Sequence, residues 1–360
     1  MSDALGQDDG VALFSKRLSD WRDAIVELQL LRQEYYLAGT LDEANEIRKK
    51  YDAAKATGNE KIKELKLAAA QAFREKPREG TDYHNFLLNC LIFDLEQTED
   101  QTMAYELAKA LNTRPITRPD VARRVGMSHF LNSDFDTAAK LMKYATSGND
   151  DGMGTLKPYL DLIPRLKPLW AEEVKRREKD KTAKLPRAVV TTTKGKFVIE
   201  LFEDEAPNLV KNFVKLAQQG FFDDMAFFNV MPFQFAASGS PNASFSGSPG
   251  YFLKNEALDP TKRRGNFRGT ICAPATKENG NPYVAGSIFM IMFGPYSVAN
   301  TSMYCNFGRV IDGMDVVDSI NRSHGMDGKQ VEGFKPDKIL KIEVQNLRDH
   351  DYEPEIIRPE

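Results

Sequence analysis

The segment "APNLVKNFVKLAQQGFFDDMAFFNVMP", residues 206–232, changes its period halfway along. Leu209, Phe213 and Leu216 fall three and four residues apart, which is one face of a helix over 207–219. Pro207 stands at the first turn and Gly220 where the helix should stop. Past the glycine the pattern turns to strands. "FFNVMPFQFAASGS" at 227–240 is aromatic and apolar, with Pro232 and Gly239 as turn residues.

The flanks agree. In "RAVVTTTKGKFVIELF" (187–202), Phe197, Ile199 and Leu201 alternate against Val198, Glu200 and Phe202, and "TKGK" reads as a hairpin turn. Further short strands are expected at 251–253, 269–273, 287–293 and 305–311, between glycine-rich turns. Many short strands with few helices point to a closed antiparallel barrel or a sandwich.

The 206–232 segment resembles the cyclophilin signature, in which a helix beginning A-P and carrying N-F leads into F-H-R-V-I-P. "SGSPGYFLKNE" (246–256) is similar to that family's G-x-G-G-P-G-Y loop. "GSIFMIM" (286–292) resembles its G-S-Q-F-F-I strand, and "FGRVIDGMDVVDSI" (307–320) its closing strand and helix. The resemblance covers about 185–348 in order. It implies an eight-stranded antiparallel β-barrel with two capping helices, and catalysis of cis/trans rotation about X–Pro bonds.

That rotation faces a barrier of about 18–20 kcal/mol because it breaks amide resonance. A rigid donor aimed at the twisted amide nitrogen stabilises the transition state more than the ground state. In the family an arginine is that donor, a glutamine and an asparagine position the substrate, and apolar side chains hold the proline ring. Carried over by resemblance, the histidine falls on Phe228 and the catalytic arginine on Asn229. The ring pocket falls on Gln234 and Phe235, and the glutamine on Ala237. Ile288 and Met290 replace two residues of the G-S-Q-F-F-I strand, and Phe289 is kept. The asparagine falls on Pro274 or Ala275, the aromatic before the closing strand on Ala299, and the usual histidine on Tyr304. No catalytic residue is assigned; the substrate-groove equivalents are Gln234, Phe235, Ala237, Ile288, Met290 and Tyr304. If the register is right, these converge with Asn229 on one face of the barrel, as an apolar hollow or as a collapsed core.

Upstream the chain is helical. Leu18, Trp21, Ile25, Leu28 and Tyr35 form one stripe, and Ile47, Tyr51, Ala54, Ile62, Leu65 and Ala69 another. "AGT" (38–40) separates them, and Thr40 with Glu43 suits a capping box. Ala104 and Leu107 recur as Ala138 and Leu141, and Leu88 and Leu91 as Ala122 and Val125, at the 34-residue tetratricopeptide period. Residues 155–180 look like a helix interrupted by Pro158, Pro164 and Pro168. The expected organisation is therefore a tail at 1–10, an amphipathic helical hairpin at 11–76, tetratricopeptide-like helix pairs at 81–147 and a helical linker at 155–184. The barrel at 185–348 and a C-terminal tail at 349–360 follow, which makes an all-α region before a barrel.

The 360 residues carry a formal net charge of -3, which gives no overall pull toward nucleic acid. No apolar run is long enough for a membrane span. The first ten residues lack a signal pattern, as a processed exported chain with an added Met also would. Cys90, Cys272 and Cys305 form no C-x-x-C, and the four histidines are scattered, so neither a metal nor a cofactor is expected. Three functions fit: a weak or specialised isomerase with a client-docking helical region; a non-catalytic interaction scaffold, binding a proline-containing segment or a protein partner; and self-association through the hairpin.

Overall fold

The computed structural model describes residues 9–97, 100–146, 156–278, 281–295 and 301–358. The chain divides into two compact units, with boundaries after Gln97, after Thr102 and after Val125.

The first unit holds α1 (Gly10–Leu37), α2 (Leu41–Glu75), α3 (Asp82–Glu96), most of α4 (Gln101–Leu111) and the first half of α5 (Pro119–Leu131). The α1–α2 break is made as its residues suggest. Thr40 Oγ1 accepts the Glu43 N–H at 3.2 Å, and Glu43 reaches back to the Gly39 N–H at 3.0 Å. At the other end of the hairpin, Gly10 N–H donates to Glu75 at 2.8 Å, so the two helices run antiparallel. Lys66 of α2 and Asp94 of α3 form a buried ion pair at 2.6 Å. The repeated positions fall in corresponding helices: Leu88 and Leu91 in α3, Ala104 and Leu107 in α4, Ala122 and Val125 in α5. Ala138 and Leu141 lie in α6 (Phe135–Ala145), in the second unit.

The second unit continues with α7 (Lys157–Asp180), a single helix despite its prolines. The expected interruptions do not break it, because Pro158 sits in the first turn, where its missing N–H has no helical partner. Pro164 and Pro168 each remove only one bond from a helix also held by packing. Trp170 meets Phe267 edge-on at 4.7 Å, with the Arg177 guanidinium over the indole. The fully buried Arg264 binds Glu173 at 3.0 Å and Asp180 at 2.9 Å, and lies over the Phe202 ring at 3.6 Å.

The barrel follows as β1 (Arg187–Thr192), β2 (Gly195–Leu201), α8 (Pro207–Gln218), β3 (Asn229–Met231), β4 (Phe235–Ser238), β5 (Phe252–Lys254), β6 (Thr270–Glu278), β7 (Asn281–Ala285), β8 (Phe289–Met292), β9 (Tyr304–Asp312), α9 (Met314–Asp318) and β10 (Ile339–Gln345). Eight strands pair antiparallel in the order β10-β1-β2-β9-β6-β8-β4-β3, with β7 joining β6 and β5 in a side ribbon. The two ends of that path meet, since Phe227 N–H donates to Asp337 and Ile339 N–H to Met225, both at 2.9 Å. This is the antiparallel barrel with capping helices that the sequence implies. Its core is the inward alternate of each strand, including Phe197, Ile199, Leu201, Val230, Ala236, Ile271, Ile291 and Phe307, against Leu209, Phe213 and Leu216 of α8. Glu256 accepts the Asn208 and Leu209 N–H groups at 3.0 Å each, which satisfies the first turn of α8.

Candidate functional site

Strand register builds the site. Asn229 of β3 stands opposite Ala237 of β4, and Ala237 opposite Met290 of β8. Met290 stands opposite Cys272 of β6, and Cys272 opposite Asn306 of β9. Directly opposed residues share a face, so these five form one row across five strands, on the side away from the core. A second row runs Met231, Phe235, Met292, and Pro274 pairs with Tyr304 beyond. Ala237, Cys272, Met290 and Met292 form a small buried apolar cluster, with Phe228, Phe235 and Tyr304 packed on it.

Four of the six groove residues, Phe235, Ala237, Met290 and Tyr304, are thus brought together, and Asn229 ends their row. Gln234 stays outside the cluster, in the β3–β4 turn, where its carbonyl accepts the Phe293 N–H at 2.9 Å. Ile288 is buried just ahead of β8 and is not part of the cluster. Phe289 points the other way, into the core, edge-on to Phe213 and Phe222. Ala299 lies outside the described residues. β6 and β7 pair over Ala275–Glu278 and Asn281–Val284 as the side ribbon.

The sequence did not single out what covers this face. Phe245, in the serine-rich loop after β4, stands edge-on to Phe228 at 5.1 Å and to Phe235 at 6.4 Å. Its loop is knotted by side chains: Ser240 Oγ donates to the Ser244 carbonyl at 2.6 Å and accepts the Ser244 N–H at 3.1 Å. The available signal was one Phe among serines and glycines, a residue that loop chemistry alone does not require. Under these rings Met290 is only 3 % exposed and Ala237 fully buried. The face is a packed apolar floor under an aromatic roof.

The polar chemistry on the row is sparse. Asn229 Oδ1 is buried and has no hydrogen-bond partner among the described residues; the same holds for Asn306 Oδ1 at the far end. Cys272 Sγ lies 3.8 Å from Met292 Sδ, and burial pushes its thiol well above the usual range. Burial likewise pushes Cys305 up to about 12, so neither thiol is available as a thiolate nucleophile near neutral pH. Apart from the weak Cys272 S–H, the side-chain donors on the row are neutral amides, whose bonds are roughly half as strong as charge-assisted ones.

The comparisons with known proteins fall on the same part of the chain. The family model "Cyclophilin type peptidyl-prolyl cis-trans isomerase/CLD" matches residues 187–344. A peptidyl-prolyl cis-trans isomerase of Helicobacter pylori is 33% identical, over 43% of this chain and 90% of its own length. Peptidyl-prolyl cis-trans isomerase B of Escherichia coli is 32% identical, over 42% and 93%. The Synechococcus elongatus enzyme is 27% identical, over 46% and 92%. With its barrel closed in this order and its rows in this register, the chain belongs to the cyclophilin-type peptidyl-prolyl cis-trans isomerase family.

Proposed function

We propose that the barrel is a weak or silent peptidyl-prolyl isomerase that keeps the family's fold without its transition-state donor. The observation that carries this reading is the row itself. Where the resemblance places a cation there is Asn229, and where it places a glutamine there is the buried Ala237. Losing one preorganised donor typically costs about 10²–10³ in rate, and losses of groups acting together are not additive. The test is NMR exchange spectroscopy on a short X–Pro peptide with the full chain added. The expected cis/trans exchange rate is at least about 100-fold below that of the E. coli relative at equal concentration. A rate within tenfold of that relative overturns the proposal.

One observation favours a second, non-catalytic reading. Phe228, Phe235 and the half-exposed Phe245 offer aromatic surface of the kind that receives proline-containing segments. In that reading the barrel holds a client segment without turning it, and the helical region contacts a protein partner. Peptide-dependent shifts of the Phe245 ring without faster exchange select this reading over a silent barrel.

A further inference from the structure

The seam between α1 and α2 opens near the hairpin tip into a groove of about 280 Å³, lined by Arg32, Tyr35, Tyr36, Arg48, Tyr51 and Asp52. Arg32 lies five residues before Leu37, the end of α1, and Arg48 seven after Leu41, the start of α2. At 1.5 Å per residue in antiparallel helices, the two arginines stand within about 3 Å of the same height. They therefore flank the seam at one level.

The chemistry of this lining is that of a recognition site. Tyr35 is 44% exposed and Tyr36 72% exposed, on a helix face where solvent favours charged and polar side chains. Their rings meet edge-on at 6.0 Å, and the Arg32 guanidinium lies 5.9 Å from the Tyr36 centroid. That wall is ordered before any partner arrives, which lowers the cost of binding. Neither Arg32 nor Arg48 has an ion-pair partner among the described residues. Other cations of the same helices do, such as Arg17 with Glu64 at 2.8 Å and Lys49 with Glu46 at 2.6 Å. Two guanidiniums against Asp52 leave the groove net positive in a chain whose total charge is -3.

We infer that the groove docks a short acidic segment of a partner protein. A guanidinium presents paired N–H groups that match a carboxylate, and two of them at one height hold neighbouring carboxylates of one segment. Tyrosine and arginine are also the residues that dominate the binding energy of protein interfaces. The Tyr35, Tyr36 and Tyr51 rings cover the apolar parts of the segment. A nucleic acid strand fits less well. The surface that continues along α2 from Arg48 carries Asp42, Glu46 and Asp52, which repel a backbone charged throughout its length. The inference rests on the reading of the helical region as the part that contacts a protein partner. The exchange assay reads only the barrel, so either can fail without the other.

Fluorescence anisotropy of the full chain with a labelled six-residue peptide, five glutamates around one leucine, tests it. Saturable binding is expected with a Kd of about 100 μM. R32E/R48E should bind at least tenfold more weakly with its circular dichroism unchanged. R32K/R48K should bind about threefold more weakly, because an ammonium cannot pair with both carboxylate oxygens in the same plane. K50E/K61E makes the same change in net charge outside the groove and should stay within about twofold of the parent chain. Absence of binding at about 1 mM chain overturns the inference. So does an equal loss in R32E/R48E and K50E/K61E, which would mean attraction by net charge alone. Tighter binding of a six-nucleotide oligothymidylate than of the peptide overturns it too, in favour of nucleic acid.

Discussion

Gly239 ends β4 with φ +82, and a Cβ there would press into the Ser287 carbonyl. Both the left-handed backbone and the close approach require glycine. Gly239→Ala should cost about 3 kcal/mol, the sum of roughly 1–2 for backbone strain and 1–3 for overpacking, measured as a lower urea midpoint. Phe233, in the β3–β4 turn after Pro232, has φ +59 without being glycine. A proline followed by a positive φ is the pattern of a type II turn, which favours Gly at that second position. Asp204 offers a pH test at the same scale. Hydrogen bonds from the Arg348 guanidinium hold its carboxyl below the ordinary 3.8. Its folded value is depressed, so its contribution is full above about pH 3.8 and lost as pH falls through the folded value. Asp204→Asn should therefore lower the urea midpoint at pH 6, and the two proteins should converge in acid. A constant difference down to pH 2 would show that the pairing with Arg348 is not its source.

Among the elements of the second unit, α7 is docked by a buried charge network. Arg264 draws Glu173 and Asp180 of that helix against the barrel, while Arg309 binds Glu200 at 2.7 Å and approaches Asp180 at 3.7 Å. Removing one partner of a buried network strands the others. Arg264→Met should cost about 3–5 kcal/mol and raise hydrogen exchange across α7 before the barrel strands. This network was not legible in the sequence, because residues 173, 180 and 264 are distant in the chain and carry no local pattern. The strands were legible, since Phe197, Ile199 and Leu201 alternate as the pleat demands. The helix break at Thr40 was also legible, because a cap is written within four residues. The prolines of α7 misled for the converse reason: local propensity argues for interruption, and packing of Trp170 and Ile163 outweighs it.

At the scale of the whole molecule, the candidate site divides the same way. The row from Asn229 to Met290 could be placed because the family resemblance of "FFNVMPFQFAASGS" and "GSIFMIM" carries a register with it. The Phe245 roof could not, because it arises from a loop folding back over strands brought together only by closure of the barrel. Phe245→Ala should uncover the floor without unfolding the barrel, since its ring is half exposed and outside the core. Binding of a hydrophobic fluorescent dye should rise at an unchanged melting temperature; a drop of more than a few degrees would place Phe245 among the packing residues instead.

Past β10 the chain turns back along the barrel. Phe252 and Ile357 exchange both backbone hydrogen bonds at 2.8 Å, Asn208 binds the Glu355 backbone, and Lys215 pairs with Glu353. Residues 353–357 thus act as a hem on β5, whose outer N–H and C=O groups would otherwise be open to any passing strand. Cutting the chain after residue 348 would leave the isomerase-type core intact and its border unstitched. The foreseeable result is a colloidal fault, soluble when dilute and prone to edge-to-edge growth when concentrated, which light scattering against concentration would reveal.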